Sequence, residues 1–228
     1  MTDEEQQSET SLLGPGLIHE MRHPLMGIKA GLQLLGAQLG PEAVKLDDWR
    51  MIAAQVARLE ELFRTYQELF APHQKRLHFE VEPVVQRSID LLAWRLRPLG
   101  ARFGWTAGAG HTGLGSPQAV LHATTNLLMN ALDAVEEAGG TGRVAVRITE
   151  APLEIRISDE GTGIAPEVAE RLFEARFTTK PQGKGTGLGL NIAKQAMQRT
   201  GGDVRLVPPG DARRLDWART EFAVDLPG

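Results

Sequence analysis

Cysteine is absent from this 228-residue chain, which excludes a disulfide framework and a thiolate zinc site. A chain without disulfides fits the cytoplasm, where we expect this protein to reside. Long apolar runs are also missing, because no stretch approaches the roughly 18 residues needed to cross a bilayer, so we expect no membrane insertion. Basic residues are not in excess, and a net charge of −4 argues against a dedicated nucleic-acid binder.

The remaining composition is that of an ordinary globular protein. Hydrophobic residues make up 42% of the chain and charged residues 24%, and the length suits one medium domain or two small ones. Residues 1–11 are acidic and polar, unlike a secretory or mitochondrial targeting segment. We predict that they form a disordered lead-in.

Two amphipathic helices are predicted within residues 12–72, because apolar residues recur there at alternating spacings of three and four. The two apolar seams are Ile18, Met21, Leu25, Ile28, Leu32, Leu35 and Leu39, then Trp49, Ile52, Val56, Leu59, Phe63, Tyr66 and Phe70. Gly40-Pro41 predicts the end of the first helix. A lone antiparallel hairpin cannot cover such a stripe, so we expect two copies to form a dimeric four-helix bundle. The alternative is that the hairpin packs on the domain that follows.

Residues 73–228 show a mixed pattern of strands and helices. Strands are predicted over residues 77–81, 101–107, 143–149, 153–158, 203–207 and 221–226, and helices over 84–99, 118–137 and about 190–200. Strands that pair mostly through hairpins, with helices grouped on one face, predict an α/β sandwich. The whole chain is therefore expected to be of the α+β class, with a helical hairpin followed by this sandwich.

The segment His19-Glu20-Met21-Arg22-His23 is compatible with two different chemistries. As H-E-x-x-H on a helix it is typical of a zinc hydrolase, with two histidine ligands one turn apart and Glu20 as the base. Pro24 beside the second histidine and the lack of an obvious third ligand count against this interpretation. Alternatively, His-Glu followed by a proline five residues after the histidine resembles the H-box of sensor histidine kinases, which implies that His19 is a nucleophile and that Glu20 orients its imidazole ring.

The predicted helix over residues 118–137 carries a polar face. Asn126, Asn130 and Asp133 lie at positions i, i+4 and i+7, so they share that face while the leucines between them can turn to the core. Amide oxygens suit Mg²⁺, which takes oxygen ligands and bridges phosphates. The simpler interpretation is a polar helix face in water.

Two glycine-rich segments follow in the second half of the chain. Asp159-Glu160-Gly161-Thr162-Gly163-Ile164 comes directly after an apolar strand, so its acid could accept a hydrogen bond from an exocyclic amine while the glycines admit a flat base. In Gly183–Leu190 a glycine stands at every second position and a helix begins immediately afterwards, a pattern typical of phosphate binding. Residues 165–186 could form a lid over a nucleotide.

A third glycine pattern does not predict a nucleotide site. Gly108–Gly113 matches G-x-G-x-x-G literally and follows a predicted strand. No helix opens at its last glycine, however, and Ser116-Pro117 intervenes before the next helix. We predict a loop at Gly108–Gly113.

Taken together, the motifs resemble those of sensor histidine kinases. Asn126–Ala134, Asp159–Gly163, Phe173 with Phe177, and Gly185–Gly189 are similar, in this order, to the N, G1, F and G2 boxes of these kinases. Their ATP-binding domain belongs to a superfamily shared with Hsp90, type II topoisomerases and MutL. The histidine segment resembles the H-box, so the resemblance extends from about Leu17 to Leu226.

This resemblance implies an ATP-dependent protein histidine kinase of a two-component system. His19 would be autophosphorylated with Glu20 beside it, and the phosphoryl group would pass to an aspartate of a response regulator. Asn130 would be the main Mg²⁺ ligand with Asn126 next to it, and Asp159 would contact the adenine amine. Further nucleotide contacts are implied for Asp133, Gly161, Gly163, Ile164, Lys180, Gly185, Thr186, Gly187, Leu188 and Gly189. Residues 12–72 would be the homodimeric phosphotransfer hairpin, residues 73–228 the catalytic domain, and a separate sensor protein could supply the input.

One departure from the family pattern leaves part of the function open. The family usually has Asn or Thr four residues after the phosphoacceptor, a position implicated in dephosphorylating the regulator, and this chain has His23 there. His23 could also be a second phosphoacceptor. Two rival functions are a non-catalytic dimeric scaffold that binds nucleotide and a zinc hydrolase built on His19, Glu20 and His23.

Overall fold

The computed structural model describes residues 25–40, 46, 48–49, 51–53, 55–57, 59, 76–106, 108, 110–180 and 187–227. The predicted lead-in and several predicted site residues lie outside this part of the chain: His19, Glu20, His23, Gly185 and Thr186. The chain divides into two compact units, Met1–Pro72 and His73–Gly228.

In the first unit, residues 25–39 form helix α1, and the described residues between 48 and 59 are helical and are called α2. Helix α1 ends where the sequence predicts, because Gly40 takes a positive φ of 80° and its N–H donates to the carbonyl of Gly36 at 3.1 Å. Leu25 and Val56 are buried, but five other seam residues are 43–59% exposed. These five are Ile28, Leu35, Leu39, Ile52 and Leu59.

The described residues of the second unit form seven strands in two sheets. The strands are β1 (Leu77–Glu80), β2 (Phe103–Thr106), β3 (Thr112–Gly115), β4 (Val144–Thr149), β5 (Glu154–Asp159), β6 (Asp203–Leu206) and β7 (Thr220–Asp225). The larger sheet has the order β2-β4-β5-β7-β6 and is antiparallel except for the parallel pair β2–β4. Strands β1 and β3 form a separate antiparallel pair.

The described residues of the second unit also form helices α3 (Val81–Leu91), α4 (Ala93–Leu96), α5 (Pro117–Glu137), α6 (Pro166–Ala169) and α7 (Gly189–Arg199). Helices α5 and α7 pack on one face of the larger sheet, and α3 packs against α5. Helix α5 begins with Ser116 as N-cap, whose hydroxyl accepts from the N–H of Ala119 at 3.2 Å, and with proline at its first position. Leu127 and Leu128 of α5 share one fully buried core with Ile155 and Ile157 of β5. The second unit is therefore an α/β sandwich.

The opposite face of the same sheet carries buried charges. Because side chains alternate along a strand, Glu154, Arg156 and Ser158 face away from the helices. The Arg156 guanidinium is fully buried and pairs with Glu154 at 2.8 Å, with Glu221 at 2.9 Å and with Asp211 at 3.1 Å. Asp211 belongs to the segment between β6 and β7, which covers this face.

Three details differ from the sequence-based expectations. The helix predicted over 84–99 begins earlier, at Val81, and continues after Leu96 as a 3₁₀ helix over Arg97–Arg102, where Gly100 has a φ of 54°. The prediction of a loop over Gly108–Gly113 is wrong for its last two residues, because residues 112–115 form strand β3, which pairs with β1. Helix α6 was also not predicted. Such short elements depend on a distant partner or on a single proline rather than on a periodic pattern.

Candidate nucleotide-binding site

Asp159 ends strand β5 and is the most buried acid at the edge of the site, with only 3% of its surface exposed. Its Oδ1 accepts from the N–H of Gly161 at 2.9 Å, and the side chain of Thr220 is a second hydrogen-bond partner. Burial raises the pKa of Asp159 to about 6, although these two hydrogen bonds and the charge of Arg214 act in the opposite direction. A desolvated carboxylate of this kind can hold an amine donor of a ligand.

The glycines after Asp159 permit close packing against α5. A Cβ atom at Gly161 would lie 2.6 Å from the carbonyl carbon of Ala134, so only glycine fits there. Gly163 has a positive φ of 78°, and Ile164 is partly buried against the core. This packing places the Asp159 loop beside the helix that carries the predicted Mg²⁺ ligands.

The predicted polar face of α5 is present in the structure. Asn126, Asn130 and Asp133 are all half-buried, while the leucines between them are fully buried. A Cβ atom at Gly189 would lie 2.6 Å from Asn126 Nδ2, so the first residue of α7 approaches this face closely. The polar face of α5 and the first residue of α7 are therefore in close contact.

The segment between α6 and α7 is anchored at both of its described ends. The Phe173 ring packs edge-on against Phe222 at a centroid distance of 6.4 Å, and its carbonyl accepts from Asn191 Nδ2 at 2.8 Å. Further along, the N–H of Arg176 donates to the carbonyl of Gly187 at 2.9 Å. A Cβ atom at Gly187 would lie 2.4 Å from the carbonyl carbon of Arg176, so this closure requires glycine.

Lys180 lies next to the polar face of α5. Its ammonium donates to Asp133 Oδ2 at 2.5 Å, and the other oxygen of Asp133 accepts from Arg95 Nη1 at 2.6 Å. Both carboxylate oxygens of Asp133 are therefore occupied by cationic partners. The predicted roles of Asp133 and Lys180 as nucleotide contacts stay predictions.

Several residues of the site were missed by the sequence analysis. Thr220, Arg95 and Asn191 each bond to a predicted site residue or its carbonyl, but none stands in a recognised motif. The Thr220 role follows from sheet register, because Thr220 pairs with Asp159 across β5 and β7. Register of this kind cannot be read from spacing along the chain.

The residues on the polar face suit a magnesium–phosphate complex better than a metal held by protein alone. Within the described ranges, no group of three or more His, Cys, Asp or Glu side chains could hold a metal ion. The half-buried amides of Asn126 and Asn130 offer neutral oxygens, and Mg²⁺ commonly takes one or two protein ligands together with phosphates and waters. These amide oxygens therefore suit a Mg²⁺ ion that binds together with a nucleotide.

The fold and this site define an ATPase domain. Residues 115–227 match the family model described as histidine kinase-, DNA gyrase B- and HSP90-like ATPase. Residues 115–227 therefore belong to that ATPase family, which confirms the superfamily that the four motifs indicated.

The similarity to particular kinases extends over nearly the whole chain. The chain is 29% identical to the sensory histidine kinase/phosphatase NtrB of Proteus hauseri, over 97% of this chain and 64% of the relative. A solved structure of the mycobacterial sensor histidine kinase MprB is 27% identical with a TM-score of 0.52, covering 68% of this chain and 98% of the other. The histidine kinase ThkA, solved in complex with the response regulator protein TrrA, shares the fold at 17% identity and a TM-score of 0.60, covering 98% of this chain and 63% of the other. The chain therefore spans just under two thirds of NtrB.

Proposed function

We propose that this chain is an ATP-dependent protein histidine kinase of two-component signalling. The observation that carries the proposal is the convergence of three predicted motifs at one place in an ATPase domain: the Asn126–Asp133 face, the Asp159 loop and the start of α7. The similarity to named histidine kinases across 97% of the chain includes the segment that contains His19.

The residues of the domain have separable tasks in this proposal. Asp159 accepts a hydrogen bond from the adenine amine, and the glycines from Gly161 to Gly163 let the base approach the backbone. Asn130, with Asn126 beside it, provides amide oxygen to Mg²⁺, which neutralises charge on the phosphoryl oxygens when bound. Backbone N–H groups at the start of α7 face the phosphates.

His19 and Glu20 carry the transfer step in this proposal. Neutral His19 attacks the γ-phosphorus through one ring nitrogen, the bond to the bridging oxygen breaks, and ADP leaves. Glu20 orients the imidazole and accepts or stabilises the proton on the other nitrogen. The phosphoryl group then passes from His19 to an aspartate of a response regulator, the class of partner that ThkA has in its solved complex.

A second copy of this chain is the proposed partner of the helical unit. The five exposed seam residues of α1 and α2 form apolar surface that water would otherwise contact. Pairing two such hairpins into a four-helix bundle buries this surface. We also propose that the protein is cytoplasmic. In the described part of the chain, no helix combines the length and apolarity that crossing a bilayer requires.

Incubation with γ-labelled ATP and Mg²⁺ tests the proposed reaction. The expected product is a label that acid removes and alkali preserves, which is the behaviour of a phosphoramidate. Nucleotide binding without any label would instead support a scaffold, and an acid-stable label would indicate a hydroxyl acceptor. Stoichiometric zinc whose removal abolishes activity while ATP binding persists would favour the zinc hydrolase.

A further inference from the structure

Asp133 holds two cations that come from different elements. Arg95 of α4 reaches its Oδ1 and Lys180 reaches its Oδ2, at 2.6 and 2.5 Å. Arg95 Nη2 also donates to Glu136 Oε2 at 2.9 Å, on the same helix as Asp133. The three side chains are only 16%, 29% and 24% exposed for Arg95, Asp133 and Lys180, so this Arg95–Asp133–Lys180 triad is shielded from water.

The charges of the triad explain why the acid Asp133 is compatible with phosphate binding at this face of α5. Asp133 shares the face with Asn126 and Asn130, and a free carboxylate there would repel a polyphosphate. Arg95 and Lys180 offset that charge, so the triad carries a net charge of +1, and Glu136, which Arg95 also contacts, is mostly exposed to water. The lysine ammonium has three donors and Asp133 occupies one of them, which leaves two for phosphate oxygens.

An exposed ion pair elsewhere in the domain has a different character. Arg171 and Glu174 pair at 3.0 Å, but they are three residues apart and both more than half exposed. Such a pair contributes little and connects nothing distant. The triad, in contrast, joins α4 to α5 and joins α5 to the segment that follows Phe177.

We propose that Arg95 and Asp133 are positioning residues that hold the Lys180 ammonium beside the asparagine face of α5, where it meets the polyphosphate of ATP. The proposal rests on the proposed function and revises the predicted role of Asp133, which acts through the lysine and does not touch the nucleotide. Arg95 is needed because its positive charge offsets the negative charge of Asp133, which would otherwise repel the phosphates.

A double-mutant cycle on Asp133 and Lys180 tests this. Dissociation constants of MgATP and of adenosine are measured by calorimetry for the full chain, Asp133→Asn, Lys180→Gln and the double variant. Each single substitution is expected to weaken MgATP binding about tenfold, and the double variant should bind no more weakly than Lys180→Gln. Adenosine carries no phosphate, so its affinity should stay unchanged in all four proteins.

Two substitutions of Arg95 test its positioning role. Arg95→Gln should weaken MgATP binding and leave adenosine binding unchanged, whereas Arg95→Lys should recover part of the loss because one cationic donor remains. Glu137→Gln is the matched control, since Glu137 is an exposed acid four residues along the same helix from Asp133. It should bind both ligands as the unmodified chain does.

The outcomes separate this inference from the proposed function. Unchanged or tighter MgATP binding by Asp133→Asn, or additive losses in the double variant, would overturn the positioning role. Weaker adenosine binding in Asp133→Asn or Arg95→Gln would also overturn it, because the residues would then maintain the pocket itself. If the unmodified chain bound no MgATP, the proposed function would fail together with the inference.

Discussion

Asp159 is a residue at which function and stability oppose each other. Burial raises its pKa to about 6, so the folded state binds a proton more readily than the unfolded state between about pH 4 and pH 6. Stability should therefore fall as pH rises through this window, and the ionised form lowers stability at pH 7. The charge is retained because an ionised acid is the better acceptor for an adenine amine.

Asp159→Asn should therefore be more stable at pH 7 while binding adenine poorly. We expect the free energy of unfolding to rise by about 1–3 kcal/mol, since a shift of two pKa units corresponds to roughly that difference. Urea unfolding of the isolated variant at pH 7 and pH 4.5 measures this, and the gain should shrink at the lower pH. A variant less stable than the unmodified chain at pH 7 would contradict the account of this acid.

The affinity for adenosine provides a second measurement at the same residue. As pH falls below about 6, Asp159 becomes protonated and adenosine binding should weaken by up to tenfold per pH unit. Adenosine is the suitable probe because it has no phosphate to titrate in this range. The dependence should be absent from Asp159→Asn.

At the scale of elements, the backbone hydrogen bond between Arg176 and Gly187 holds Arg176 close to the start of α7. Gly187 has a positive φ of 63°, and its missing side chain leaves room for the Arg176 carbonyl group. Gly187→Ala should shift this closure and weaken MgATP binding about tenfold or more, because both the φ and the contact are unfavourable for alanine.

Gly210→Ala is the control for Gly187→Ala. Gly210 has open space around the position of a Cβ atom, so alanine should leave nucleotide binding unchanged there. Calorimetry of both variants with MgATP is the measurement. Equal affinities for the two would show that the Arg176–Gly187 closure does not position the phosphate-binding residues.

The sequence predicts those parts of the site that depend on regular spacing. The polar face of α5 follows from positions i, i+4 and i+7, and the Asp159 loop follows from an acid and glycines after an apolar strand. Arg95 could not be predicted as a partner of Asp133, because the two are 38 residues apart and meet only through the packing of α4 against α5.

The G-x-G-x-x-G pattern at Gly108–Gly113 shows the same limit. A Cβ atom at Gly108 would lie 1.9 Å from His111 Cε1, so this glycine makes room for a side chain and not for a phosphate. The His111 ring is held by Glu82 and Glu150, 29 and 39 residues away, and these acids raise its pKa. A glycine pattern alone cannot distinguish these two uses.

For the whole molecule, the exposed seam of α1 and α2 predicts a dimer. At micromolar concentration, light scattering coupled to size-exclusion chromatography should give twice the chain mass. Leu35→Glu, at a seam position that is 49% exposed, should shift the protein towards the monomer, because a charge would be buried in the bundle. Gln38→Glu, an exposed position outside the seam, is the control and should remain dimeric.

Circular dichroism of Leu35→Glu distinguishes dissociation from unfolding of the helices. We expect the ATPase domain of the monomeric variant to bind nucleotide still, because the two units are separately compact. If the unmodified chain is monomeric at these concentrations, the proposed homodimer is wrong.

The position of the phosphoryl group tests the central claim most directly. After incubation with MgATP, mass spectrometry of peptides kept at alkaline pH should place one phosphoryl group on His19. His19→Ala should lose it and His23→Ala should keep it, while both variants still bind MgATP. A phosphoryl group that persists in His19→Ala, or that lies on another residue of the unmodified chain, would contradict the assignment of His19 as the nucleophile.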